Sequence, residues 1–267
     1  MWAAVIQMQS IGDLNYNCER AHRLVEAAAG RGAKLIALPE YFSCLGPPES
    51  IRAHAQLLDG PLVQGFQQQA RDKGVFLLLG SIPERSAESE KIYNTAVLLQ
   101  PSGEILACYR KIHLFDIDIP GRVRFRESDH ILPGKEIITT ALPGEEFTVG
   151  LTICYDLRFP ELFRALVSRG AEIILTPAAF SQVTGRDHWE VLLRARAIEN
   201  QTYILAPAQY PHPAQSLRTY GRSLIVDPWG VVLAQAADRE DIIYADLDRR
   251  HLQRLRVELP CLASRCL

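Results

Sequence analysis

The feature that most constrains the fold of this chain is a supersecondary unit that occurs twice. The first copy is AAVIQM at 3–8 followed by RAHRLVEAAAGRGAKLIALPE at 20–40, and the second is TVGLTIC at 148–154 followed by RFPELFRALVSRGAEIILTPAAF at 158–180. Each copy predicts an apolar strand, an amphipathic helix, a glycine that ends the helix, and a second strand. Alternating strands and helices predict a layered α/β architecture built around β-sheets.

The other apolar runs predict further elements of the same kind. The turn sequence Pro101-Ser102-Gly103 between two runs indicates an antiparallel hairpin, so the predicted sheets are mixed. No low-complexity stretch or linker divides the chain, which predicts one domain over 1–267 with weak internal twofold character. The predicted strands are 3–8, 35–38, 75–79, 95–99, 105–109, 147–153, 173–175, 203–206, 223–226, 231–234 and 242–245, and the predicted helices are 17–29, 61–73, 160–169 and 187–200.

Composition and charge argue against several classes of function. The chain has 267 residues, enough for a sizeable core, and its net charge of -2 lacks the basic bias of a nucleic-acid-binding protein. No apolar run reaches the roughly 18 residues of a membrane-spanning helix, and the first ten residues lack the basic segment of a signal peptide. The six cysteines include no C-x-x-C pair. We therefore expect free thiols, no metal site, no membrane association and a cytoplasmic protein.

The stretch GLTICYDLRFPEL at 150–162 places Cys154 where an apolar strand stops and a helical pattern is about to start. Ligand sites of α/β folds lie beyond the carboxyl ends of strands. Pro160 suits the first turn of the following helix, and backbone N–H groups near such a turn can stabilise developing negative charge. Cys154 is therefore a candidate nucleophile, and a small buried cysteine at a strand end is the alternative interpretation.

Two more residues of useful chemistry stand at the ends of apolar strands. Glu40 follows LIALP, where a carboxyl group could act as a general base. Lys111 follows ILACYR, and a desolvated lysine can supply positive charge to an oxyanion. Each residue alone would more commonly be a solvated charge. Three such residues at three strand ends favour a catalytic site.

The segments LPEYF, YRKIHLFDIDIPG and GLTICYDLRFPEL strongly resemble the Glu-Lys-Cys signature of the nitrilase superfamily of carbon–nitrogen hydrolases. YNTAVLLQPSGEILACYRKIHLFD, TGRDHWEVLLRARAIENQ and SLIVDPWG are similar to its Nit-type amidase branch, and the resemblance runs through nearly the whole chain. It implies a four-layer αββα sandwich of two mixed β-sheets flanked by helices. It also implies a small-molecule amide substrate, no metal, no organic cofactor, and a homodimer or larger homo-oligomer.

The same resemblance implies a catalytic role for each matching residue. Glu40 corresponds to the general base, Lys111 to the oxyanion-stabilising lysine, and Cys154 to the nucleophile that forms a thioester. Glu127 of RFRESDHILPGKE corresponds to a second glutamate, which holds the lysine and the substrate nitrogen. The backbone N–H of Tyr155 would be the second donor to the oxyanion.

The resemblance also implies three substrate-binding residues. Arg158 could clasp a substrate carboxylate through two hydrogen bonds, and Phe180 and Thr184 of AAFSQVTG would line the ligand site beside it. A surface ion pair of Arg158 with Glu161 or Asp156 is the alternative.

The Nit-type branch implies a short substrate that carries an α-keto carboxylate, and two substrates remain open. One is deaminated glutathione, which the segments GRDHWEVLLRARAIENQ and APAQ favour. The other is the α-ketoglutaramate or α-ketosuccinamate of omega-amidases. A true nitrilase and a binding scaffold without catalysis are more remote alternatives.

A Cys-His enzyme is a further alternative, and the chain departs from the branch in two places. We expect His113 to point away from Lys111 if the strand continues, and His188 to cap a helix or to form part of a pocket wall. Arg222 stands where the branch usually carries histidine, and LPCLASRCL at 259–267 lacks the usual basic ending. The apolar surplus of RFPELFRALVSRG and DHWEVLLRARAIENQ predicts a homodimer through these helices.

Overall fold

The computed structural model of the protein describes residues 1–121, 123–211 and 218–266. Its helices are α1 (Leu14–Gly30), α2 (Pro48–Ala53), α3 (Pro61–Lys73), α4 (Pro160–Ser168), α5 (Gln182–Asn200) and α6 (Arg249–Glu258). Its strands are β1 (Trp2–Gln7), β2 (Leu35–Ala37), β3 (Phe76–Arg85), β4 (Ile92–Leu99), β5 (Ile105–Arg110), β6 (Asp116–Ile119), β7 (Val123–Arg126), β8 (Thr139–Ala141), β9 (Thr148–Leu151), β10 (Ile173–Leu175), β11 (Tyr203–Ala206), β12 (Leu224–Val226), β13 (Val232–Gln235) and β14 (Asp241–Asp246).

The strands form two six-stranded mixed sheets and one hairpin. The first sheet has the order β14-β1-β2-β3-β4-β5, the second has the order β13-β12-β11-β10-β9-β8, and β6 pairs with β7. In each sheet three adjacent strands are parallel, β1-β2-β3 and β9-β10-β11, and these contain the two copies of the repeated unit. The predicted hairpin between β4 and β5 is antiparallel, and Gly103 in its turn adopts a φ of 84°.

Side-chain alternation along the strands explains why the sheets stack. In β1, Ala3 and Val5 face a core that also contains Val149 and Ile173 of the second sheet. The intervening Ala4 and Ile6 belong to a second core, which includes Val25 of α1 and Phe66 of α3. Helices α4 and α5 cover the other face of the second sheet. The result is the four-layer αββα sandwich with mixed sheets that the resemblance implied.

The structure corrects three details of the predicted elements. Helix α5 begins at Gln182 instead of 187, because the Ser181 side chain accepts a hydrogen bond from the backbone N–H of Val183 and caps the helix five residues earlier. Strand β3 continues to Arg85, since its pairing with β4 resumes after a register shift. Helix α1 begins at Leu14 instead of 17, because the Asp13 side chain accepts a hydrogen bond from the backbone N–H of Tyr16. The helix predicted over 160–169 is found as α4, and a 3-10 segment, Cys154–Arg158, precedes it. No helix within the described ranges is long and apolar enough to cross a membrane.

Candidate active site

Four of the predicted residues come together at one end of the two sheets. Glu40 follows β2, Lys111 follows β5, Cys154 follows β9, and Glu127 follows the hairpin strand β7. All four side chains are buried, and all four line one cavity of about 570 Å³. Because β2 and β5 belong to the first sheet and β9 to the second, the packing of the two sheets sets the geometry of the cluster.

A glycine in β3, Gly80, allows this strand to lie close to the two residues that precede Glu40. A Cβ at Gly80 would lie 2.0 Å from the carbonyl oxygen of Pro39 and 2.2 Å from that of Leu38. Real side chains do not come so near to backbone oxygens, so any other residue at this position would push the segment away. Gly80 therefore fixes where β2 delivers the Glu40 carboxylate.

The ammonium group of Lys111 lies between two carboxylates. Its Nζ donates to Glu40 Oε1 at 3.0 Å and to Glu127 Oε2 at 2.9 Å. Burial alone would lower the pKa of Lys111, but the negative charges of Glu127 and Glu40 outweigh it and hold that pKa well above its usual range. Lys111 is thus a permanent positive charge on the floor of the cavity.

Other donors fix the two carboxylates. Asn94 Nδ2 donates to Glu40 Oε1 at 2.9 Å, and the backbone N–H of Ala179 donates to Glu40 Oε2 at 2.7 Å. The backbone N–H of Phe115 donates to Glu127 Oε2 at 2.6 Å. Glu127 contacts the ammonium with both oxygens, whereas Glu40 contacts it with only one. The geometry therefore suits Glu127 to hold the lysine. Glu40 Oε2 instead accepts from the N–H of Ala179.

Cys154 occupies a strained turn between β9 and α4. Its φ is 49°, a left-handed value that a non-glycine residue adopts at an energetic cost, and its backbone N–H donates to the carbonyl of Pro177 at 2.9 Å. Burial and the negative charge of Glu40 raise the pKa of the thiol well above its usual value, with Lys111 acting in the opposite direction. Tyr155 is the next residue of the 3-10 segment. Because N–H groups at the start of a helical segment have no acceptor within it, the N–H of Tyr155 is not used by the segment itself.

A buried carboxylate, which the sequence analysis named only as a possible partner of Arg158, links the turn at Cys154 to the segment around Lys111. Asp156, two residues after Cys154, is fully buried. It accepts from the backbone N–H of Ile153 at 2.9 Å, from the hydroxyl of Tyr109 at 2.7 Å, and from the backbone N–H of His113 at 3.1 Å. Two of these donors, Tyr109 and His113, lie two residues before and two residues after Lys111 in the sequence. The alternation of β5 could have suggested that the tyrosine points inward, but nothing local indicated its partner.

The three predicted substrate-binding residues form a second part of the cavity lining. Arg158 packs its guanidinium over the ring of Phe180, with 5.1 Å between Cζ and the ring centroid, and Thr184 lines the cavity beside them. Within the described ranges Arg158 makes no ion pair, so its predicted alternative partners, Glu161 and Asp156, are not engaged by it. Burial lowers the pKa of Arg158 somewhat from its very high ordinary value.

Two buried hydroxyl groups of this wall lack partners. The Oγ1 atoms of Thr184 and Thr219 are shielded from solvent and have no hydrogen-bond partner among the residues that the structure describes. Both residues line the cavity. Thr219 escaped the sequence analysis, because it lies 35 residues beyond Thr184 and reaches the site only through a bridge between Ser181 and Thr219.

His113, His188 and Arg222 contact groups other than Cys154, Glu40 and Lys111. The strand ends at Arg110, so His113 does not continue it; its Nδ1 lies 2.7 Å from Asp156 Oδ1, and its ring stacks on another aromatic ring. His188 is inside α5 instead of at its start, with Nδ1 3.1 Å from Nη1 of Arg158. Arg222 pairs with Asp238 at 2.8 Å on the surface. Among the described residues His130 also lines the cavity, but no histidine makes a hydrogen bond or ion pair with Cys154, which argues against a Cys-His pair.

The chain is similar to several known proteins. Residues 2–257 match the model of the carbon–nitrogen hydrolase family. The deaminated glutathione amidase of Bos taurus is 42% identical over 266 residues, which cover 98% of this chain and 81% of that protein. The omega-amidase of Homo sapiens is 39% identical, over 96% of this chain and 92% of that protein. The crystal structure of the C. elegans NitFhit protein superposes with a TM-score of 0.91 at 36% identity, over 99% of this chain and 65% of that one.

The chain belongs to the carbon–nitrogen hydrolase family. With a buried thiol, two carboxylates and an ammonium group in one cavity, it is an amidohydrolase of this family.

Proposed function

We propose that this chain is a single-domain amidase that cleaves the amide bond of a short keto-carboxylate substrate through a thioester on Cys154, with deaminated glutathione as the preferred substrate. The observation that carries the keto-carboxylate class of substrate is Arg158, a cation that lines the cavity without a carboxylate partner among the described residues. A substrate carboxylate would supply that partner.

The charges of the cluster define the first chemical step. Lys111 lies between the carboxyl groups of Glu40 and Glu127, and the thiol of Cys154 is protonated because its pKa is raised. As Sγ of Cys154 attacks the amide carbon, its proton passes to Glu40. This transfer leaves the net charge of the buried cluster unchanged, so no extra charge is desolvated. Lys111 Nζ and the backbone N–H of Tyr155 then stabilise the oxyanion.

The second part of the reaction returns the proton. Glu40 donates it to the departing amine nitrogen, the C–N bond breaks, and a thioester remains on Cys154. Glu40 then takes a proton from water, which attacks the thioester carbon. The C–S bond breaks, the carboxylate product leaves, and the proton returns from Glu40 to Sγ of Cys154. Glu127 holds Lys111 in place throughout, with contacts from both of its oxygens.

A comparison of substrates tests this proposal. Ammonia or amine release would be measured for deaminated glutathione, α-ketoglutaramate, a neutral aliphatic amide of equal length, and the corresponding nitrile. We expect the highest kcat/KM for deaminated glutathione, because its additional arm offers binding energy that can be used in the transition state. A higher kcat/KM for α-ketoglutaramate would favour the omega-amidase alternative, which the human relative also supports. Preference for the nitrile would overturn the assignment.

We further propose that the protein assembles as a homodimer through α5 and the neighbouring edge of the second sheet. Val191 and Ile198 of α5 are 66% and 50% exposed, and Trp229 and Val231 nearby are 56% and 49% exposed. Helix α4, which the sequence analysis included in this face, buries its large apolar side chains within the protomer instead. Light scattering should give twice the 29.9 kDa chain mass at micromolar concentration; a monomer, or a dimer that survives Val191→Asp, would contradict this interface.

A further inference from the structure

The two carboxylate oxygens of Glu40 are held by different sheets. Oε1 accepts from Lys111 Nζ at 3.0 Å and from Asn94 Nδ2 at 2.9 Å. Asn94 lies in β4 and Lys111 follows β5, so both of these donors come from the first sheet. Oε2 accepts from the backbone N–H of Ala179 at 2.7 Å, and Ala179 belongs to the segment that follows β10 of the second sheet. The two oxygens therefore have different surroundings.

The segment that holds Oε2 also holds the nucleophile. Ala179 lies two residues after Pro177, and the carbonyl of Pro177 accepts from the backbone N–H of Cys154 at 2.9 Å. Ala179 and Cys154 both line the cavity. Oε2 is therefore the oxygen of Glu40 that is fixed relative to the thiol, whereas Oε1 is fixed relative to the lysine.

The two donors on Oε1 restrict where a proton on Glu40 can reside. An ammonium group and an amide nitrogen both donate hydrogen bonds and accept none. A proton on Oε1 would compete with these N–H groups for the lone pairs of that oxygen, and neither nitrogen could accept it. A proton on Oε2 leaves both donors of Oε1 with their acceptor. Protonation of Oε2 is therefore favoured.

Asn94 is buried behind the reacting groups, where it acts on Glu40 and not on the substrate. Its side chain is fully buried, and it is not among the described residues that line the cavity. Its backbone carbonyl accepts from the N–H of Lys111 at 2.9 Å, so the same backbone position serves both donors of Oε1. Its Nδ2 also donates to Glu127 Oε1 at 3.4 Å.

The orientation of the Asn94 amide follows from its charged neighbours. The Oδ1 atom is buried and has no hydrogen-bond partner within the described ranges. Turning the amide around would place this acceptor against the carboxylate oxygens of Glu40 and Glu127, which also accept. The side chain thus leaves one acceptor unpaired and keeps its donor on Glu40.

We propose that Asn94 is a positioning residue that confines the transferred proton of Glu40 to Oε2. This inference rests on the proposed function and names the atom through which that function works. As the bond from Sγ of Cys154 to the acyl carbon forms, the thiol proton passes to Oε2. Oε2 then transfers it to the amide nitrogen, and the C–N bond breaks. Without the Asn94 amide, Oε1 has only the lysine as donor, and part of the protonated enzyme carries the proton on Oε1, away from the thiol and the nitrogen.

Two substrates with one acyl group test this role. α-Ketoglutaramate and the corresponding para-nitrophenyl ester form the same thioester, but only the amide needs a proton on its leaving group, because para-nitrophenolate is a weak base. In Asn94→Ala, the ratio of kcat/KM for the amide to that for the ester should fall about tenfold or more, since general acid catalysis contributes about 10²–10⁴-fold. The ratio is measured on one preparation, so a misfolded fraction cancels.

The outcomes separate this role from the proposed function. An unchanged ratio in Asn94→Ala, with equal losses or no loss for the two substrates, would overturn the role of Asn94 and leave the proposed function intact. Cleavage of neither substrate by the unmodified enzyme would contradict the proposed function itself.

Two further variants separate positioning from packing. Asn94→Leu keeps a side chain of similar size without a donor, and its ratio should fall as in Asn94→Ala. Asn200→Ala is the matched control, because Asn200 is also fully buried, its Nδ2 donates to the carbonyl of Arg196, and its Oδ1 also lacks a partner in the described part of the chain. Asn200 ends α5 outside the cavity, so its ratio should equal that of the unmodified enzyme. An unchanged ratio in Asn94→Leu, or an equal fall in Asn200→Ala, would contradict the proposal.

Discussion

The floor of the cavity, which contains Glu40, Lys111, Glu127 and Cys154, differs from the wall around Arg158 in how completely its polar groups are hydrogen-bonded. On the floor, each carboxylate oxygen of Glu40 and Glu127 accepts at least one hydrogen bond from the protein. In the wall, the hydroxyls of Thr184 and Thr219 have no hydrogen-bond partner within the described part of the chain. An environment that is complete before the substrate arrives suits charge development, because it needs no reorganisation during the reaction. An incomplete one suits binding, because the ligand supplies what is missing.

The largest effect should come from removing the nucleophile from the complete floor. Cys154→Ala should lower amide turnover by more than about 10⁴-fold and leave the far-UV circular dichroism unchanged, because no other thiol among the described residues lines the cavity. Cys108→Ala is the control, since this half-buried cysteine of β5 lies outside the cavity. More than trace turnover in a well-folded Cys154→Ala protein would refute the assignment.

Glu40→Gln should cost about 10²–10⁴-fold in kcat, because a general base is lost from both half-reactions. Glutamine can still accept from Lys111, so the fold should persist. Glu84→Gln is the matched control: Glu84 is also buried, but it pairs with Arg110 and lies outside the cavity. Its expected effect is a lower melting temperature with an unchanged rate for the folded fraction. If Glu40→Gln kept a near-normal rate, Glu127 would be the next candidate for the base.

Arg158→Ala tests the wall, where polar groups lack partners among the described residues. We expect kcat/KM to fall about 10- to 150-fold for keto-carboxylate amides, since a hydrogen bond to a charged group contributes about 1.5–3 kcal/mol. A neutral amide of the same length should lose much less. Arg164→Ala, which removes a half-buried arginine of α4 bonded to the carbonyl of Glu199, should affect both substrates equally. Equal losses in Arg158→Ala would show that this arginine has only a structural role.

The smallest effect distinguishes the two regions most directly. Thr184→Val should leave the melting temperature unchanged or raise it, because its buried hydroxyl has no partner, and should lower kcat/KM by about two- to tenfold. Thr152→Val is the opposite case. Its hydroxyl donates to the carbonyl of Leu175 and lies 3.0 Å from Thr176 Oγ1, so the melting temperature should fall. Destabilisation by Thr184→Val would mean that the wall is not incomplete.

How far the sequence could predict this molecule depended on how local each cause is. The ends of β2, β5 and β9 were visible as apolar runs, so the residues that follow them could be assigned to one edge of the fold. The early start of α5 was also local, since Ser181 has the side chain of a helix cap. The contact between Asp156 and Tyr109 joins residues 47 positions apart, and no periodicity encodes it. The partnerless hydroxyl of Thr219 is equally nonlocal, because it depends on how two connections pack.

Asp156 has a consequence for how the protein opens. Its carboxylate accepts backbone N–H groups from Ile153 and His113, which lie on segments from different sheets. Neither amide can become exposed to solvent without disturbing the acceptor that the other shares. Hydrogen exchange at these two positions should therefore occur in one cooperative opening with a common protection factor, and Asp156→Asn should raise both exchange rates together. The turn at Cys154 and the segment at Lys111 would open and close as one unit whenever the native state fluctuates.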